Sequence, residues 1–108
     1  MTFNQIINYA DSVKPNPFDE STKLSWLCEA EGLVRSEIMR QSAENIPETV
    51  LATGTPSAHA PYARLYSYYL FSMIDFLMAD YDSYKISSEM FEKALESYGK
   101  WYVRRGEG

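Results

Sequence analysis

The sequence predicts an all-α fold, a compact four-helix domain with a short helix 1, a long helix 2, a long loop and aromatic-rich helices 3 and 4. Three observations predict it. Apolar residues recur at spacings of three and four through four stretches, the period of a helix with one buried face. Capping residues, Thr2 and Asp19, precede the first two stretches. Pro15 and Pro17 follow the first stretch, and Pro47, Gly54 and Pro56 separate the second from the third, while Gly32 sits within the second.

Thr2 caps helix 1, with Gln5 placed to reach back in a capping box. Phe3, Ile6, Ile7, Ala10 and Val13 form its stripe, and Pro15 and Pro17 end it. Asp19 caps helix 2, behind Phe18 as a hydrophobic staple. Leu24, Leu27, Cys28, Val34, Ile38 and Met39 supply a core-facing stripe through about Glu44, roughly 25 residues and about 37 Å of helix. Trp26, Ala30 and Leu33 lie off that stripe and imply a second buried face. Gly32, in mid-helix, implies a kink or a close helix contact.

Residues 45–58 hold Pro47, Gly54 and Pro56 with no sustained period, and Thr49 to Thr53 could form a short extended segment. A connection this long is often functional or mobile. Pro61 suits the first turn of helix 3. Tyr62, Leu65, Tyr66, Tyr69, Leu70, Met73, Phe76 and Leu77 cover most of that helix, leaving a narrow polar edge of Arg64, Ser67, Ser72 and Asp75. Such a helix lies centrally or faces another subunit. Helix 4 begins near Asp82 or Ser83 and carries Tyr84, Met90, Phe91, Ala94, Leu95, Tyr98, Trp101 and Tyr102. Arg104 and Arg105 complement its dipole, and Gly106 stops it.

Composition bounds the function. The 108 residues make one domain, 1–108, and 45% hydrophobic residues with 15% aromatics exclude a disordered chain. A net charge of -5 argues against a free nucleic-acid binder, whose affinity would come from lysine and arginine. Cys28 is the only cysteine, so no intrachain disulfide forms and a reducing compartment is expected. No signal peptide is expected, because Met1 to Ala10 lack its basic flank and continuous apolar stretch, and no membrane span, because Arg64, Ser67, Ser72 and Asp75 interrupt the longest apolar region.

Catalytic chemistry finds no constellation. His59 is the only histidine, and a triad with Ser57 would lack a nucleophile elbow. Cys28 reads as a small hydrophobe, since Glu29 and Glu31 disfavour a thiolate. Asp80 and Asp82 resemble the start of a calcium loop, but its glycine and its twelfth-position glutamate are missing, so they read as helix punctuation. No catalytic residue, metal site or cofactor is expected. Nine tyrosines and two tryptophans exceed what so small a core readily buries, and such residues are enriched at protein interfaces.

The run Lys23-Leu24-Ser25-Trp26-Leu27-Cys28-Glu29-Ala30-Glu31-Gly32, then Ala60-Pro61-Tyr62 to Asp75, then Tyr81-Asp82-Ser83-Tyr84 leading to Trp101-Tyr102-Val103-Arg104, resembles small head-tail connector (adaptor) proteins of tailed bacteriophages and prophages. The likeness spans about Tyr9 to Arg105. Leu51 to Ser57 departs from the more apolar approach to the Pro-Tyr motif in similar sequences. The resemblance implies a structural virion protein that assembles in the host bacterial cytoplasm as a homo-oligomeric ring under the portal protein. It would contact tail-side connector proteins, with no sequence-specific nucleic acid, no membrane and no enzymatic activity. A ring of acidic subunits suits a DNA conduit, because a negative lumen repels phosphate. Candidate interface residues are Thr53, Thr55 and His59 of the loop, the aromatic Tyr68, Tyr81 and Trp101, and the terminal Arg104 and Arg105. The alternative is a cytoplasmic interaction module that binds a peptide in a groove around Tyr66, Tyr69 and Tyr98.

Overall fold

A computed structural model describes residues 1–107. It consists of α1 (Phe3–Val13), α2 (Glu20–Leu33), α3 (Arg64–Leu77) and α4 (Tyr81–Tyr102), with no strand among the described residues. The four-helix, all-α architecture is as the periodicity predicts. α3 and α4 form the most extensively packed pair, and α1 and α2 lie against α3. The expected extended segment at 49–53 is absent.

α1 begins with the predicted capping box: Thr2 Oγ1 accepts from Gln5 N at 3.2 Å, while Gln5 Oε1 accepts from Thr2 N at 2.8 Å. The long loop completes the cap. Phe3 N donates to Gly54 O at 3.0 Å and Asn4 N to Ala52 O at 2.9 Å, so the first-turn N–H groups that a helix leaves orphaned are satisfied. A side chain on Gly54 would put its Cβ 3.2 Å from Leu51 O, which is why this crossing uses glycine. Phe3, Ile6, Ile7 and Ala10 are buried, but Val13 is exposed and the stripe ends a turn earlier than expected.

α2 corrects the sequence reading in register and length. Its buried face is Lys23, Trp26, Leu27, Ala30, Glu31 and Val34, a regular three-four spacing that includes two charged residues. Trp26 and Ala30 therefore lie on the main buried face, and Leu24 and Cys28 flank it, half-buried. Phe18 packs on Trp26 at 5.3 Å between ring centroids. The helix widens into a π-type turn at Val34–Ile38 and stops before Arg40, short of Glu44. Arg40 takes φ 58°, and Gln41 N donates to Arg35 O at 2.9 Å, closing the end. The close helix contact lies at Gly99 rather than Gly32: a Cβ on Gly99 would come within 3.0 Å of Ile38 Cδ1, whereas one on Gly32 would meet only Ile46, at 3.8 Å.

α3 starts at Arg64, so Pro61 lies outside it, after a cis Ala60–Pro61 bond. Its supposed polar edge is buried at Ser67, Ser72 and Asp75, and Phe76 and Leu77 are exposed instead. The reason is Asp75: its Oδ1 accepts from Lys14 Nζ at 2.6 Å and its Oδ2 from Ser87 Oγ at 2.8 Å, tying α3 to the end of α1 and to α4. α3 ends in a Schellman arrangement, with Asp80 N on Asp75 O and Ala79 N on Phe76 O, and Ala79 occupies the left-handed position at φ 59°. Asp80 caps α4 by accepting from Ser83 N, and hydrogen bonding from Ser83, its side chain first and then its backbone, holds the Asp80 carboxyl below the usual aspartate range. The helical path continues through Glu107 in a π-type turn, so Gly106 does not end it.

Two substitutions test this account. Ala79→Gly removes a Cβ from a left-handed backbone and is expected to raise stability by about 0.5–1 kcal/mol in urea unfolding, with m unchanged. Lys14→Met leaves the Asp75 carboxylate buried with Ser87 alone; because Lys14 is itself 30% exposed, the expected loss is about 1–3 kcal/mol.

Candidate functional site

The most constrained polar site is internal. Glu31 of α2 is 1% exposed, and its carboxylate accepts from three segments. Oε1 takes the Tyr66 hydroxyl at 2.6 Å and Ser57 N at 3.2 Å, and Oε2 takes the Ser57 hydroxyl and Arg35 Nε at 2.9 Å. Tyr66 Oη in turn accepts from Ala58 N at 3.1 Å. Burial first, and then the Glu31 carboxylate, push the Tyr66 phenol above the ordinary tyrosine range. Ser57 is thus committed to Glu31 and Arg35, which argues against a Ser57–His59 nucleophile. No group of three or more His, Cys, Asp or Glu side chains gathers to hold a metal among the described residues.

The expected interface residues fall into two groups. His59, Trp101 and Arg105 come together where the loop meets the end of α4. The His59 ring lies 5.7 Å from Trp101, edge to face, and Trp101 stacks on Tyr98 at 5.6 Å. Tyr62 closes the cluster, 5.5 Å from both Tyr98 and Trp101. The Arg105 guanidinium sits 5.3 Å over Trp101 and 4.6 Å over Tyr102. Thr55 joins His59 in an adjoining groove beside Met1 and Pro56. Thr53 and Arg104 are exposed nearby in sequence but are not part of the ring cluster. Tyr68 lies apart, 6.4 Å from Phe71, and Tyr81 stands at the other end of α4, 5.9 Å from Phe76.

That far end holds a surface of which the candidate interface residues include only Tyr81. Phe76, Leu77, Met78 and Tyr81 are 49%, 50%, 51% and 59% exposed around the α3–α4 turn. Their consecutive placement is visible in the sequence, and the periodicity puts Phe76 and Leu77 on a helix that lies centrally or faces another subunit without deciding between the two. The residues of the expected peptide groove, Tyr66, Tyr69 and Tyr98, are mostly withdrawn from the surface. Tyr66 and Tyr98 are buried, and the Tyr69 hydroxyl donates to Glu29 at 2.6 Å. A second open groove lies between α2 and residues 48–50, where the Cys28 thiol donates to Pro47 O at 3.6 Å. Burial, then Glu31 and Glu29, hold that thiol above its ordinary value, as a small hydrophobe requires.

Comparison with protein-family models, curated protein sequences and solved structures gives no match. No helix among the described residues is long and apolar enough to cross a membrane.

Tyr66→Phe tests the internal site. It strands Ala58 N and removes one bond from Glu31, so the expected cost is about 1–3 kcal/mol at neutral pH. The variant also changes alkaline behaviour. Below the ordinary tyrosine value of 10.0 the phenol is protonated in folded and unfolded chains alike. Above it the unfolded chain releases a proton that the folded one keeps, so stability falls as pH rises. Unfolding followed across this range is expected to show a shallower alkaline loss in Tyr66→Phe than in the parent.

Proposed function

We propose that this chain is a structural assembly subunit, a head-tail connector (adaptor) of a tailed bacteriophage or prophage that joins a ring beneath the portal protein. The observation that carries the assembly part is the apolar corner at the α3–α4 turn. Single exposed apolar side chains are ordinary, but four on one turn, with Phe76 also 5.2 Å from Tyr84, form a continuous patch of the kind that marks a partner surface. Lys23, Glu31 and Asp75, the buried charged side chains, are all spent on internal partners, so the chemistry left at the surface is that of contact. The connector identity rests on the sequence resemblance, and the host cytoplasm followed by the virion is the location it implies.

Mixing the protein with a portal protein from the same phage or prophage genome and viewing the mixture by negative stain is the direct test. Added ring density at one portal face is expected, and no binding at any concentration would sink the reading. Leu77→Asp, on an exposed side chain, is expected to keep native stability within about 0.5 kcal/mol and to weaken that binding at least about tenfold.

A further inference from the structure

We propose that the C-terminal end of α4 docks into the α2 groove of a second copy of this chain, a head-to-tail contact that rests on the assembly reading and deepens it. The groove, about 490 Å³, runs between the outer face of α2 and residues 48–50. Half-buried Leu24, Cys28 and Val50 line it beside exposed Glu29 and Glu48. No cation is among its lining residues, and the Glu48 carboxylate has no hydrogen-bond or ion-pair partner among the described residues.

The end of α4 is its complement. From Lys100 to Arg105 the chain carries three cations and no acid. Val103, 67% exposed, stands between them as an apolar knob. Arg104 is exposed with no ion-pair partner among the described residues. The Arg105 guanidinium is held over the Trp101 and Tyr102 rings, which fixes the direction of this cationic end. In a chain of net charge -5, most encounters between copies are repulsive, so a basic end meeting an acidic groove is the orientation that charge selects.

One copy cannot satisfy itself. Its own α4 passes α2 at Gly99 against Ile38, nine residues beyond Glu29, or about 13 Å along the axis, and the groove opens on the outer side of α2. The two surfaces are therefore different patches of one molecule. Contacts of that kind are heterologous and propagate, closing into a ring when the rotation allows.

Sedimentation velocity of the full chain without any portal, at low and high salt, tests the contact. Self-association is expected within protein concentrations up to about 1 mM, and it should weaken as salt rises. Glu48→Lys and Arg104→Glu, each on an exposed side chain, should each weaken it about tenfold or more. A one-to-one mixture of the two variants should restore it, because every groove then meets a tail of opposite charge. A parent that stays monomeric at about 1 mM in low salt overturns the inference. So do single reversals that leave association unchanged, or a mixture that fails to recover. Portal binding is read separately: a chain that binds portal without this contact keeps the connector reading and loses the inference, and the reverse result does the opposite.

Discussion

Glu31 sits at 1% exposure with its carboxylate shared among α2, the long loop and α3, and the positions of all three depend on that arrangement. An ionised carboxylate taken out of water costs several kcal/mol unless its lone pairs are met, so the chain folds only in ways that bring donors to it. Arg35 comes from the same helix one turn on, Ser57 from the loop by both hydroxyl and N–H, and Tyr66 from the first turn of α3. Once Ser57 and Ala58 are fixed, the preceding residues are fixed too. Ala52 and Gly54 then present their carbonyls to the N-terminus of α1. A connection that reads as free chain is in this way the piece that joins α1 to the rest.

Two further buried charges repeat the device. Lys23 is 4% exposed, and its ammonium donates to both Asp11 carboxylate oxygens, at 2.8 and 3.0 Å, and to Asn16. Asp75 draws in Lys14 and Ser87. Each buried charge reaches a different pair of elements, so every helix is pinned by at least one of them. Such pairs add little net stability against an apolar core of the same shape, but each forbids the alternatives in which its partner is missing. For a small helical domain with one long loop, this is a means of specifying one arrangement of the helices.

The same residues explain what was legible in the sequence. The four helices and the caps at Thr2 and Asp19 follow from spacing and side-chain chemistry that act within a few residues, as does the reading of Asp80 as helix punctuation. The register of α2 is not legible locally because Lys23 and Glu31 are charged, and only their partners at Asp11, Ser57 and Tyr66, 12 to 35 positions away, place them inside. Asp75, with Ser67 and Ser72, was set on a polar edge for the same reason. The end of α2 was overrun because Arg40 occupies the left-handed position where a glycine would have announced the stop, and Ala79 hides the end of α3 likewise. At the candidate surface, His59, Trp101 and Arg105 were legible as a group of exposed-type residues, yet their meeting depends on how far the loop travels, which local pattern does not encode.

The distribution of what is left over carries the remaining argument. Most of the aromatic excess is absorbed: Tyr66 and Tyr98 are buried, and Tyr62 and Tyr102 pack against Trp101 at one end of α4. A group of exposed apolar side chains, Phe76, Met78 and Tyr81, lies at the other end, about 30 Å away along a helix of 22 residues. A binder of a single small partner has no use for two separated ends. A subunit with neighbours on more than one side does, since each contact in a ring or stack must come from a different patch of the same chain. The rigidity of α4, held by Asp75 near its start and by the Gly99–Ile38 crossing near its finish, is what fixes the distance between those patches.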